Sequence, residues 1–115
     1  GVEVRVRPLH DFYVSRNTDR IKCPPWGLGG GREGAVNETF LERDGKKEKL
    51  PGKFSHVLVH PGETVTFLTA GGGGYGDPAQ RDPSRIKQDL KLGFVTPERA
   101  SRDYRPAGSP ALSRF

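Results

Sequence analysis

The sequence has no methionine and a single cysteine, Cys23. One cysteine cannot form an internal disulfide or a cysteine-rich zinc cage, so the fold must hold without either, and the setting it suits is a reducing cytoplasm. Apolar residues are scarce, at 32% of the chain, and aromatics make up 9%. No apolar run approaches the length of a membrane span, and no secretory leader is visible. The first residue is Gly1 rather than Met, so further residues are expected before it. At 115 residues, so thin an apolar content leaves little to offset the entropy of ordering the chain. The expectation is a chain that folds against a partner or belongs to a larger polypeptide.

What the sequence has in excess is 16 glycines and 10 prolines, the mark of a loop-rich chain. Six Phe, three Tyr and one Trp argue against full disorder. The net charge of +5 is uneven. Residues 1–80 carry 11 basic and 10 acidic side chains, whereas residues 81–115 carry 8 and 4. An excess this small describes a solvated or partner-facing segment better than a nucleic-acid footprint.

Patterning predicts a mainly β protein. The expected architecture is a small antiparallel β body with glycine-rich, polyproline-II-like loops and two short helices near the C-terminus. Val2, Val4 and Val6 alternate with charged residues, as in a half-buried strand. Further strands are expected at Phe12 to Val14, in "AVNETFLER", and at Phe54 to Val59 and Thr64 to Thr69, the last two joined by a turn at His60-Pro61-Gly62-Glu63. "DGKK" reads as a turn in which Asp44-Gly45 carries a hairpin signature. Asp82-Pro83 and Thr96-Pro97 each place a capping residue before a proline, which predicts two helix starts, with Gly93 as a stop between them. The expected organisation is a β-rich body over 1–80, a helical segment over 81–104 and an extended tail over 105–115.

Chemistry-bearing motifs are few. Gly29, Gly31 and Gly34, and again Gly71, Gly73 and Gly76, match G-x-G-x-x-G. A dinucleotide site needs a helix that opens at those glycines. A strand-like run follows the first set, and Asp77-Pro78 and Asp82-Pro83 hold any helix away from the second. No Gly-Lys-Ser/Thr loop and no G-x-S-x-G elbow occurs. His56 and His60 are expected in one strand on one face, as ordinary surface histidines or as two metal ligands. Cys23 lacks the setting of a nucleophile. No catalytic residue can be named. Trp26 and Tyr75 stand out as aromatics inside glycine-rich loops. Trp26 is expected to pack on the Pro24-Pro25 pair, and Tyr75 to peg the segment Gly71, Gly72, Gly73, Gly74 to its surroundings.

Taken together, "DRIKCPPWGLGGGREG", "LPGKF", "TAGGGGYGDP", "RDP" and "GFVTPERASRDY" resemble, in order and spacing, the C-terminal region of the hydantoinase B/5-oxoprolinase family, over roughly residues 16 to 104. The resemblance implies a multi-subunit or multidomain ATP-dependent enzyme. Members hydrolyse cyclic amides such as hydantoins, 5-oxoproline and lactams, or carboxylate ketones such as acetone and acetophenone. It implies ATP and a divalent metal held by other subunits or domains, with none on this chain. The implied partners are a hydantoinase A-type ATP-binding subunit and the rest of the hydantoinase B component, without membrane or nucleic acid. Family members are far longer, so this chain corresponds to their last portion or to a small separate subunit. Within that reading Trp26, Gly71, Gly72, Gly73, Gly74 and Tyr75 are assembly residues. The alternatives are a basic nucleic-acid-binding module and a pure scaffold subunit.

Overall fold

A computed structural model gives the fold and describes residues 1–104; the expected tail over 105–115 lies outside them. The described chain is mainly β, with two antiparallel sheets and two short helices. Six strands run in chain order: β1 (Glu3–Val6), β2 (Phe12–Asn17), β3 (Glu38–Arg43), β4 (Lys46–Leu50), β5 (Lys53–Val59) and β6 (Thr64–Leu68). A four-stranded sheet has the order β1-β6-β3-β4, and β2 and β5 form a two-stranded sheet.

Alternation along β6 and β3 explains the core. Val65 pairs with Leu41 and with Val6, and Phe67 pairs with Thr39 and with Val4, so these residues share one face of the larger sheet. Leu41 and Val65 there join Val14 of β2 and Val59 of β5 in the buried cluster, with Phe12, Leu50, Phe54, Val57 and Phe67 packed around it. Two arginines tie the sheets together by donating to main-chain carbonyls. Arg16 of β2 donates to the Glu38 carbonyl at 2.9 Å and to the Thr39 hydroxyl, with its guanidinium over the Phe67 ring. Arg43 of β3 donates to the Leu58 carbonyl at 2.7 Å and to both carboxylate oxygens of Glu63. Both contacts neutralise groups that would otherwise be half-buried without a partner.

The turns follow local chemistry. Asp44 and Gly45 have φ of 51° and 71°, which two-residue hairpins of the primed type require. The turn is confined to those two residues. Lys46 and Lys47, expected inside it, already belong to β4. That strand carries one apolar residue in five and closes the sheet edge with charge, a protection against further pairing. β2 also runs beyond the expected Val14 to Asn17.

The helices begin where their caps predict. The Asp82 carboxylate accepts from the Ser84 N–H at 2.7 Å ahead of α1 (Pro83–Lys91), and the Thr96 hydroxyl accepts from the Arg99 N–H at 3.3 Å ahead of α2 (Pro97–Asp103). Gly93, with φ of 74°, ends the first.

The described chain divides into two units. The first holds Gly1–Trp26 and Glu33–Gly73 and contains both sheets; the second holds Gly27–Arg32 and the chain from Gly74 onward, with both helices. No helix among the described residues is long and apolar enough to cross a membrane.

Candidate assembly surface

Each unit contains part of the glycine-rich sequence, and in each one glycine, Gly34 in the first and Gly31 in the second, meets backbone at close range. In the first unit, a Cβ on Gly34 would lie 2.6 Å from the Gly72 carbonyl oxygen and 2.7 Å from that of Gly71. Only a residue without a side chain lets those strands of backbone approach so closely. Gly34 also donates to the Pro25 carbonyl at 2.8 Å. Asn37 locks the neighbouring loops from three sides. Its N–H donates to the Arg20 carbonyl, its amide nitrogen donates to the Asp19 carbonyl, and its amide oxygen accepts from the Ala70 N–H. Nothing in the sequence marks Asn37 for this beyond an amide just ahead of a strand, since its partners are distant along the chain.

In the second unit, Leu28 and Tyr75 form a single parallel bridge. Leu28 donates to the Gly74 carbonyl and its own carbonyl accepts from Gly76, both at 2.9 Å, while Gly74 donates to the Arg32 carbonyl at 2.7 Å. A Cβ on Gly31 would run into the Gly74 carbonyl oxygen. These bonds satisfy the peptide groups of an extended glycine segment, which would otherwise need water.

The expected burial of the two aromatics is not observed. Trp26 is 68% exposed and Tyr75 88% exposed. Backbone hydrogen bonds at Gly74 and Gly76 tie the glycine segment to Leu28 and Arg32, and the Trp26 ring lies under the Arg20 guanidinium at 5.2 Å. Leu28 is also 59% exposed. Trp26 in the first unit, and Leu28 and Tyr75 in the second, are thus large apolar side chains open to solvent, a residue type that contact surfaces use. Gly71 to Gly74 are not among the glycines with positive φ, and Gly72 has nothing within 4 Å of a would-be Cβ. The close approach is therefore required at Gly31 and Gly34, which face the run from the other loop.

The two glycine fingerprints are thus spent on each other. Residues after Gly76 form only a 3-10 turn, Pro78–Gln80, whose Ala79 N–H is taken by the Asp77 carboxylate, and α1 opens at Pro83. That is not the helix start a pyrophosphate needs. Among the described residues no group of three or more His, Cys, Asp and Glu side chains could hold a metal. The two histidines expected on one strand are separate. His56 lies within β5, whereas His60 lies beyond its end in the turn, with Nδ1 at 2.9 Å from Asp11 Oδ1. Beside it, the Arg43 hydrogen bonds and the His60 N–H hold the Glu63 carboxyl down to about 2.

The relation to known proteins follows the same residues. The family model described as hydantoinase B/oxoprolinase matches residues 1–78. The chain belongs to the hydantoinase B/oxoprolinase family. It is 47% identical to the acetophenone carboxylase delta subunit of Aromatoleum aromaticum, over 99% of this chain and 15% of that protein. It is 30% identical to the caprolactamase subunit beta of Pseudomonas jessenii, over 68% of this chain and 16% of that one. The crystal structure of the ATP-dependent caprolactamase from Pseudomonas jessenii has the same fold, with a TM-score of 0.76 at 24% identity, covering 96% of this chain and 20% of that chain. The chain spans a fifth or less of the length of these relatives.

Proposed function

We propose that this chain is the C-terminal portion, or a small separate subunit, of an ATP-dependent enzyme of the hydantoinase B/oxoprolinase type. The enzyme acts on a cyclic amide such as a hydantoin, 5-oxoproline or a lactam, or carboxylates a ketone such as acetophenone or acetone. The observation that carries this reading is the family match over residues 1–78 in a chain that spans only 15% to 20% of its relatives. The relatives' names supply the reaction classes, ketone carboxylation for one and ATP-dependent lactam opening for another.

The part played by this chain is assembly. It offers two exposed aromatics, Trp26 and Tyr75, on loops stiffened by glycine-to-backbone packing around Gly71, Gly72, Gly73 and Gly74. Rigid aromatic anchors lose little entropy on docking and give large apolar contact. Their partners are an ATP-binding subunit of the hydantoinase A type and the remainder of the hydantoinase B component, in the cytoplasm. ATP and a divalent metal would bind to those other parts, and the chain alone would hydrolyse neither ATP nor an amide.

The test is reconstitution with Trp26→Ala and Tyr75→Ala. Each is expected to weaken complex formation by about 2 kcal/mol or more, roughly 30-fold in Kd. Turnover per assembled complex should be unchanged. A variant that assembles fully and yet loses turnover would move these loops from assembly to the active site.

A further inference from the structure

The exposed side of the two-stranded sheet carries an anomaly that assembly does not explain. Val14 pairs with Val57 and Arg16 with Phe54, so Ser15 faces both Ser55 and His56 across a bulge. His56 sits there with φ of 53°. A left-handed conformation is strained for a residue with a Cβ and free for glycine. His56 is exposed and is not part of the core cluster.

The bulge gives the imidazole a backing. The His56 N–H leaves the ladder and donates to the Ser15 hydroxyl at 3.0 Å. Ser55 Oγ lies 2.7 Å from His56 Nδ1, and Ser15 Oγ lies 3.4 Å from Ser55 Oγ. The Tyr13 ring stands beside the imidazole, with centroids 5.9 Å apart. Ser15 accepts the His56 N–H, which leaves its own proton free to point to Ser55, and in the tautomer with the ring proton on Nε2, Ser55 donates to Nδ1. In that arrangement Nε2 carries a proton and presents a donor.

We propose that His56, backed by Ser55 and Ser15 and flanked by Tyr13, is a ligand-contacting residue that donates from Nε2 to a carbonyl or carboxylate oxygen of a small-molecule substrate of the assembled enzyme. The assignment rests on reading the chain as part of such an enzyme. A left-handed backbone kept at an exposed histidine, together with a serine hydroxyl held 2.7 Å from Nδ1, is the pattern of a group held for contact rather than for packing.

The experiment uses the assembled complex with ATP, a divalent metal and bicarbonate as the carbon source for carboxylation, and, in turn, caprolactam, 5-oxoproline, hydantoin and acetophenone. His56→Gly removes the strain with the imidazole, so its melting temperature should equal or exceed that of the wild type. Its kcat/KM should fall about 100-fold, with KM carrying much of the change. His56→Asn tolerates the same backbone and keeps a side-chain donor, and should recover part of the loss. The assignment is overturned if His56→Gly keeps kcat/KM within about twofold of the wild type. It is equally overturned if His56→Gly melts several degrees lower, because the side chain would then be there for stability. A wild-type complex that consumes no ATP with any of the four compounds or with acetone would remove the enzyme reading, and the role of His56 with it. An active wild type with a silent His56→Gly would remove only the role of His56.

Discussion

At the scale of single residues, the glycine-rich loops make a sharp distinction that composition hides. Gly31 faces the Gly74 carbonyl, whereas Gly72 faces open space, and neither has a positive φ. Gly31→Ala should therefore destabilise by about 1–3 kcal/mol, because backbone rather than a movable side chain lies in the way. Gly72→Ala should be neutral, or stabilising by about 0.4–1 kcal/mol through reduced freedom of the unfolded chain. Thermal melting of the two variants side by side checks both, and equal melting would remove the packing explanation. Glu63 gives a pH prediction. Its folded pKa lies at about 2 against an ordinary 4.5, so its contribution is present in full above 4.5 and is lost as pH falls through about 2. Wild-type melting should drop more between those limits than that of Glu63→Gln, in which the titrating group is absent.

At the scale of elements, the readable parts were those whose signals are local. Helix starts at Asp82-Pro83 and Thr96-Pro97 and the Asp44-Gly45 hairpin depend on two or three adjacent residues, and each appears where its residues place it. The cap of α1 should matter more than usual, since no residue of that helix is buried. Asp82→Ala is expected to cost about 0.5–2 kcal/mol of helix stability, read as faster amide exchange across Arg85 to Leu90 with the sheets unaffected. Other elements were not readable. β4 has the sequence KKEKL, with no alternation to mark it as an edge strand. The bulge at Ser55-His56 depends on the register against β2, which the sequence of β5 does not contain. The bridge between Leu28 and Tyr75 joins residues 47 positions apart, so two glycine motifs that each resembled a nucleotide loop were legible only as a pair. Trp26 and Tyr75 stand out in the sequence as loop aromatics, but both side chains are exposed rather than packed into the chain's own loops. An aromatic in a loop is equally consistent with an inward anchor and an outward one, and only the fold decides.

At the scale of the whole molecule, the core comprises a few aliphatic residues, centred on Val14, Leu41, Val59 and Val65, while large aromatic side chains remain open. That balance fits the proposal of a piece of a larger assembly, in which another body would cover part of the apolar surface. As proposed above, the chain would work as part of an ATP-dependent complex of the hydantoinase B/oxoprolinase type. The most direct measurement is native mass together with ATP-coupled turnover after co-expression with the remainder of the hydantoinase B component and an ATP-binding hydantoinase A-type subunit. A stable complex of fixed stoichiometry is expected, one that consumes ATP with a cyclic amide, or with a ketone and bicarbonate, and loses that turnover when this chain is withheld. A chain that stays apart from those partners, or a complex whose turnover is the same without it, would rule out membership of such a complex.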